Sequence, residues 1–392
     1  MLLIKNGRVL TMSGPTYEKG CVLIADGKIK AVEENIVETE DMEIIDADGT
    51  WVMPGIIEAH CHIGIEEADK GTEGNDTNEA TEPITPQLRA IDAINPMDTA
   101  FNDAVEAGVT SVMTGPGSAN VVGGQFVFMK TKGKSMDDMI VKAPAAMKIA
   151  FGENPKRVYN SKGKMPSTRM ATAALLREAL TKAVQYKEKK EKALAKGENF
   201  EADFKQEAWL PVLNKEIPLK AHAHRSDDIL TAIRIGKEFD LHMTLDHCSE
   251  GHFIPEYVAT SSYPAIIGPT LTHRSKIEVQ NKTFKTPGVL HNAGTLVAIT
   301  TDHPVVPVQY LSKCAGFAAK EGLGIEEGLK AITINAAKIC GVDDRVGSLE
   351  VGKDADIVIF TGNPMDIFTD TLYTIIDGKI VYKNLAKIDR YH

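Results

Sequence analysis

His60 and His62 stand one residue apart in the stretch Val52-Met53-Pro54-Gly55-Ile56-Ile57-Glu58-Ala59-His60-Cys61-His62. In an extended strand, residues i and i+2 point to the same face, so both imidazoles can meet one ion. Pro54-Gly55 marks where such a strand begins, and Ile56-Ile57 lead into it. Cys61 would point the other way, into packing. Two histidines that alternate by accident would look the same, so a metal site needs further ligands elsewhere.

Ligand-type residues recur where other strand-like runs end. Glu153 follows Ile149-Ala150-Phe151-Gly152. His222 and His224 come at the end of Leu219-Lys220-Ala221. Asp246 and His247 follow Met243-Thr244-Leu245, His273 follows 266–271, and Asp302 and His303 follow 297–301. Imidazole nitrogen and carboxylate oxygen suit zinc and similar divalent ions. Such an ion supplies a nucleophile by acidifying water, and a carboxylate beside it can move the proton. Asp302 is the best-placed base of this kind. Pro304 close by makes a helix cap the competing explanation. Arg225 has the shape to hold a substrate carboxylate, or else pairs with Asp227 or Asp228. The small residues of Thr114–Asn120 and Gly123-Gly124 let a ligand approach the backbone, but without GKS or GKT they form no P-loop.

The elements that must position these groups lie between 54 and 345. Strand-like runs at 109–113, 146–151, 219–222, 242–246, 265–268 and 296–300 alternate with helical stretches such as 96–107, 227–239 and 308–320. This pattern predicts a (β/α)8 TIM-like barrel, whose catalytic groups sit at the C-terminal strand ends; a doubly wound sheet is the alternative. Asn6-Gly7, Asp26-Gly27 and Asp377-Gly378 are hairpin signals near the two chain ends. Neither end has enough strands to bury a core, so 1–53 and 346–392 are expected to form one composite β-sandwich domain. A Lys- and Glu-rich helix from Thr168 to Phe204 interrupts the pattern, as part of a helical insertion at about 160–215. A solvated face explains its charge, and a lid or a contact between copies is the other reading.

The chain has 392 residues, 43% hydrophobic and 25% charged, which fits a soluble globular protein. A net charge of −10 argues against nucleic acid or an anionic membrane as partner. The five cysteines are odd in number, widely spaced and without a CxxC, as expected of reduced thiols in the cytoplasm. No stretch reaches the length of a membrane-spanning helix, and the N-terminus lacks a secretory pattern.

The segments PGIIEAHCH, KAHAHR, TLDHC and TTDHP, the tail NAAKICGVDDRVGSLEVGKDADIVIF, and Lys5-Asn6-Gly7-Arg8-Val9 resemble the amidohydrolase superfamily, most of all its imidazolonepropionase-like branch. The resemblance covers nearly the whole chain apart from the helical insertion. It implies one or two divalent ions, zinc by preference. His60 and His62 would be first-strand ligands, His222 the fifth-strand and His247 the sixth-strand ligand. Asp302 would be both eighth-strand ligand and proton shuttle. His273 would sit near the substrate. His224 shares a strand face with His222, so either can be the ligand; with Arg225 and His303 it is otherwise assigned to the substrate. Many binuclear members bridge their metals with a carboxylated lysine on the fourth strand. Here Lys148 lies too deep in its strand or on its outer face, whereas Glu153 lies where N-acetylglucosamine-6-phosphate deacetylases use a glutamate, so Glu153 is the expected ligand. The implied activity is metal-dependent hydrolysis of a carbon–nitrogen bond in a cyclic or other non-peptide amide. A prolidase-like dipeptidase, a ring deaminase, a phosphoesterase and a metal-free binding scaffold are the rivals. The expected partner is a small-molecule substrate, with neither nucleic acid nor membrane, in a homo-oligomer.

Overall fold

The computed structural model describes residues 1–68 and 70–388. Strands β1 (Leu2–Leu10), β2 (Thr16–Ala25), β3 (Lys28–Glu33), β4 (Glu43–Asp46) and β5 (Trp51–Pro54) come first. The barrel strands are β6 (Ile56–Cys61), β7 (Val109–Thr114), β8 (Val122–Lys130), β9 (Ile140–Ala150), β10 (Leu219–Ala223), β11 (Met243–His247), β12 (Ala265–Ile267) and β13 (Val297–Ile299). After them come β14 (Ile357–Phe360), β15 (Thr371–Ile376) and β16 (Lys379–Lys383).

Both chain ends enter one sheet, ordered β16-β15-β14-β5-β1-β2-β3 with β4 beside β1. β14 runs antiparallel to β5, from Ile357 opposite Pro54 to Phe360 opposite Trp51. Ile4, Val22, Ile29, Val52, Ile357 and Ile375 share its apolar core. Asp26 and Gly27 have φ of 53° and 73°, and Asp377 and Gly378 48° and 72°, the backbone a tight two-residue hairpin requires. Asn6-Gly7 behaves differently from the expectation. β1 runs straight through it, with a break in pairing at Gly7. A Cβ on Gly7 would meet Val52 Cγ2 at 2.4 Å, so glycine is needed there for close packing on β5, not for a turn. Residues 389–392 of the composite domain lie outside the described residues.

β6 to β13 form the second sheet in chain order. Its two edges meet where Thr300 Oγ1 donates to His60 O (2.6 Å) and His62 N to His303 O (2.8 Å), making a nearly closed barrel. One strand departs from the regular βα pattern: β8 is antiparallel to both β7 and β9. The connection 115–121 cannot hold the dozen or so residues that a parallel crossover needs, so the chain folds straight back.

The charged helix is Arg169–Ala195, capped by Thr168, whose Oγ1 accepts from Ala171 N (3.1 Å). Thr172, Leu176, Ala179, Leu180 and Ala183 are buried at helical spacing, and no residue beyond Ala183 is. Its first half is thus the crossover helix between β9 and β10. Only its second half is a solvated Lys/Glu rod. Phe204 and Pro211 downstream border a cavity of about 940 Å³ beside the barrel mouth.

Candidate metal centre

The C-terminal ends of the barrel strands open into a cavity of about 520 Å³, lined by His62, His222, His224 and Asp302 among others. Two groups of ligand-type atoms lie there, His60 with His62 and Asp302, and His222 with His224 and His247. Within each group the atoms are within 4.8 Å of one another. The His247 ring joins the groups, with its centroid 5.0 Å from His60 and 4.5 Å from His222.

Short contacts to acceptor oxygens fix which nitrogens face the cavity. His60 Nδ1 is 2.7 Å from Asp246 Oδ2, His62 Nδ1 2.7 Å from Gly115 O, and His247 Nδ1 2.7 Å from Gly268 O. Those oxygens only accept, so each Nδ1 carries the proton and each Nε2 presents a lone pair. His60 Nε2 and His62 Nε2 lie 3.5 Å and 3.3 Å from Asp302 Oδ1. Asp302 Oδ1 and His222 Nε2 are buried without a hydrogen-bond partner. Acceptors that face each other without a proton between them are what a cation satisfies, so these residues fit a divalent ion.

The charges agree. Burial holds the His60 and His247 imidazoles below their ordinary pKa and therefore neutral; Lys148 adds to this for His60 and His222 for His247. Burial also brings His224 down to about 3. Burial alone would raise Asp302, but the imidazoles around it, His247 first and then His60 and His62, pull it well below the usual carboxylate range. His247 and Asp302 also sit at φ of 71° and 54°, left-handed backbone that costs a side-chain-bearing residue roughly 1 kcal/mol or more. Glu58 braces this backbone. Its Oε1 accepts from His60 N (3.1 Å), and its Oε2 accepts from Thr301 N (2.8 Å) and Thr301 Oγ1 (2.6 Å).

His60, His62, His222, His247 and Asp302 therefore converge. His224 lies with His222 and His247 and also lines the cavity, with its Nδ1 2.8 Å from Ser249 Oγ. Glu153 requires correction. It heads the helix Glu153–Asn160 and belongs to neither ligand group among the described residues. Its carboxylate accepts from Glu278 N (3.3 Å), while Glu278 Oε2 accepts from Glu153 N (2.9 Å). Lys148 is the group that reaches the centre. It lies inside the barrel, fully buried, with Nζ 3.2 Å from His60 Nε2, because its long stem carries the amine from mid-strand to the mouth. Burial lowers its pKa to about 8.

Three residues expected at the substrate lie elsewhere. Arg225 is held by Asp227 through Nε (3.0 Å) and Nη2 (2.9 Å). His273 is exposed on the loop after β12 and does not line the cavity. His303 is buried, accepts from Val308 N at Nδ1 (3.2 Å), and lines a neighbouring cavity with Glu67 and Gln309. Sequence reasoning left Glu58 and Lys220 out altogether, and saw Asp246 only as one more ligand type. Lys220 Nζ donates to Ala59 O (3.1 Å) and is 3.1 Å from Asp246 Oδ2. The only available signal was their charge within otherwise apolar strands.

A sequence model described as "Amidohydrolase family" matches residues 51–381. The chain is 28% identical to Amidohydrolase tasK of Hapsidospora irregularis over 400 residues, an alignment that covers 96% of this chain and 40% of that protein. It is 36% identical to the imidazolonepropionase of Fusobacterium nucleatum over 104 residues, 23% of this chain and 24% of that one. The chain thus spans less than half the length of these curated relatives. The crystal structure of an amidohydrolase from Thermotoga maritima MSB8 is 44% identical, with a TM-score of 0.95 over 98% of this chain and all (100%) of that one. A prolidase complexed with N-methylphosphonate-L-proline shares the fold at a TM-score of 0.62 and 19% identity, over 98% and 100% of the two chains.

Proposed function

Because the chain belongs to the amidohydrolase family, we propose that it hydrolyses a carbon–nitrogen bond of a cyclic or other non-peptide amide at a divalent metal centre. One observation carries this reading: the Nε2 atoms of His60 and His62 lie 3.5 Å and 3.3 Å from Asp302 Oδ1, a buried oxygen with no hydrogen-bond partner. His60, His62 and Asp302 would hold one ion, and His222, His224 and His247 would supply ligands for a second, zinc being the ion this donor set suits. A divalent ion there would acidify water and polarise the scissile carbonyl.

The chain's own residues do the rest. The Asp302 carboxylate takes the proton that the attacking water gives up and returns it to the leaving nitrogen. Its depressed pKa keeps it ionised, with a lone pair on each oxygen. Asp246 and the carbonyls of Gly115 and Gly268 keep three imidazoles in one tautomer. Lys148 replaces Glu153 as the bridging candidate. With a pKa near 8, part of its amine is neutral and can add carbon dioxide. The new N–C bond leaves a carbamate, and one proton goes to solvent. The five cysteines are buried and unpaired, which supports a reducing, cytoplasmic setting.

Asp302→Asn tests the proton role. Turnover of a cyclic amide or N-acyl amino acid should fall by about 10²- to 10⁴-fold with the far-ultraviolet dichroism unchanged. Survival of the rate would remove Asp302 from the chemistry. Metal counting tests the bridge: Glu153→Gln should keep the parent's metal content, whereas Lys148→Met should lower it.

A further inference from the structure

Lys282 is 6% exposed, yet no carboxylate meets it among the described residues. Neutral oxygens hold its ammonium, Thr272 Oγ1 and His273 O (3.1 Å). Arg274, on the same loop, donates through Nη2 to Lys282 O (3.4 Å) and likewise has no acidic partner among the described residues. Burial and the nearby Arg274 charge lower the Lys282 pKa. The cavity's other lysine, Lys276, is already matched by Glu278 Oε1 (3.3 Å) and Asn154 Oδ1 (2.9 Å). Lys282 lines the same cavity as His62, His222 and Asp302. Apart from Asp302, the acid in that lining is Glu66, and among the described residues no ion pair joins it to Lys276 or Lys282. A buried ammonium without a counter-charge is costly, and a substrate anion entering this water-poor cleft would remove the cost.

We propose that Lys282 is the anion-binding group of the substrate cavity, and that the substrate carries a carboxylate beside its scissile carbon–nitrogen bond, as N-acyl amino acids do. One unneutralised ammonium in the lining matches one negative charge. A phosphate would call for more donors than Lys282 and its hydroxyl neighbours offer. The assignment rests on the hydrolase reading for the identity of the cavity, but its test does not depend on turnover.

The test measures binding by calorimetry to Asp302→Asn protein whose metal content has first been matched to the parent's. The probes are N-acetyl-alanine, N-acetyl-leucine and N-acetyl-proline, each beside its uncharged C-terminal amide. The acids should bind about tenfold or more tightly than the amides. Lys282→Met should erase that preference, and Lys282→Arg should keep most of it. A Lys282 that only closes its loop through Thr272 and His273 would give a different pattern, with acid and amide weakened alike. Equal binding of acid and amide to the parent, no binding of either, or a preference that survives Lys282→Met would overturn the proposal. Turnover of the same probes by the unsubstituted enzyme separates the two readings. Acids that bind through Lys282 but are never cleaved would count against the hydrolase reading alone. Amides cleaved as readily as acids would leave hydrolysis standing and remove the anion site.

Discussion

Asp246 decides which nitrogen of His60 faces the cavity. It is fully buried, and burial alone would raise its pKa, but Lys220 and His60 hold it ionised. Replacing it with Asn swaps a charged acceptor for a weaker, neutral one and frees the ring to turn. Asp246→Asn should therefore weaken metal affinity by about 10- to 100-fold, measured by competition with a chelator. An unchanged affinity would mean that His60 is oriented by something else or binds no metal. The sequence held part of this. His60, His62, His222, His247 and Asp302 were visible because strand periodicity and strand ends suffice to bring them to one mouth. Glu153 and Lys148 were judged by where their backbone lies, and that is the wrong measure for a lysine whose amine ends several ångströms away. Glu58 was illegible because its partner is Thr301, far along the chain.

At the scale of elements, Glu58 ties β6 to the turn after β13 on which Asp302 sits. Burial pushes its pKa from 4.5 up to about 7 despite the bonds from Thr301 and His60. The sign follows from linkage. A carboxyl whose folded pKa is raised favours the fold while protonated, so its contribution is present below pH 4.5 and lost as pH rises through 7. Glu58→Gln stays neutral throughout. Relative to that variant, the parent should lose about 3 kcal/mol over this window, read from urea midpoints at several pH values. Parallel stability profiles would show that Glu58 titrates normally in the fold. The other element-scale lesson is β8. Alternating strands and helices were legible, and so was the Gly- and Pro-rich 115–121 as a ligand loop, since Gly117 and Ser118 line the cavity; that it is also a reversal too short for a helix was not. The long helix was read as an insertion because its charged second half masked the buried stripe from Thr172 to Ala183.

At the scale of the whole molecule, the sheet made from the chain ends is pinned to the barrel by one buried cation. Lys130 closes β8 at 3% exposure and meets Asp356 Oδ2 (2.5 Å), Asp354 Oδ2 (3.0 Å) and Asp377 Oδ1 (3.3 Å), all from the C-terminal segment. Arg345 (2.7 Å) and Lys28 (2.6 Å) reach Asp354 as well, so among the described residues Asp354 has other cations and Asp356 does not. The Asp-Gly turns announced the small strands. This contact did not announce itself, since Lys130 reads as a strand-end charge and its partners lie more than 200 residues away. Burial raises the Asp356 pKa even with Lys130 beside it. Lys130→Met leaves that carboxyl buried and uncompensated, and should destabilise the fold by about 3–5 kcal/mol. Adding Asp356→Asn removes the stranded charge and should restore part of the loss, a coupling that a double-mutant cycle on denaturant midpoints reads directly. Strictly additive effects would mean that the sheet and the barrel are held by apolar packing and by neutral bonds such as Thr374 Oγ1 to Val105 O (2.7 Å), and that the buried ions contribute nothing to the join. The pin is remote from the cavity, so the folded fraction of Lys130→Met should bind metal as the parent does, whereas loss of a ligand would change metal content at unchanged stability of the sheet.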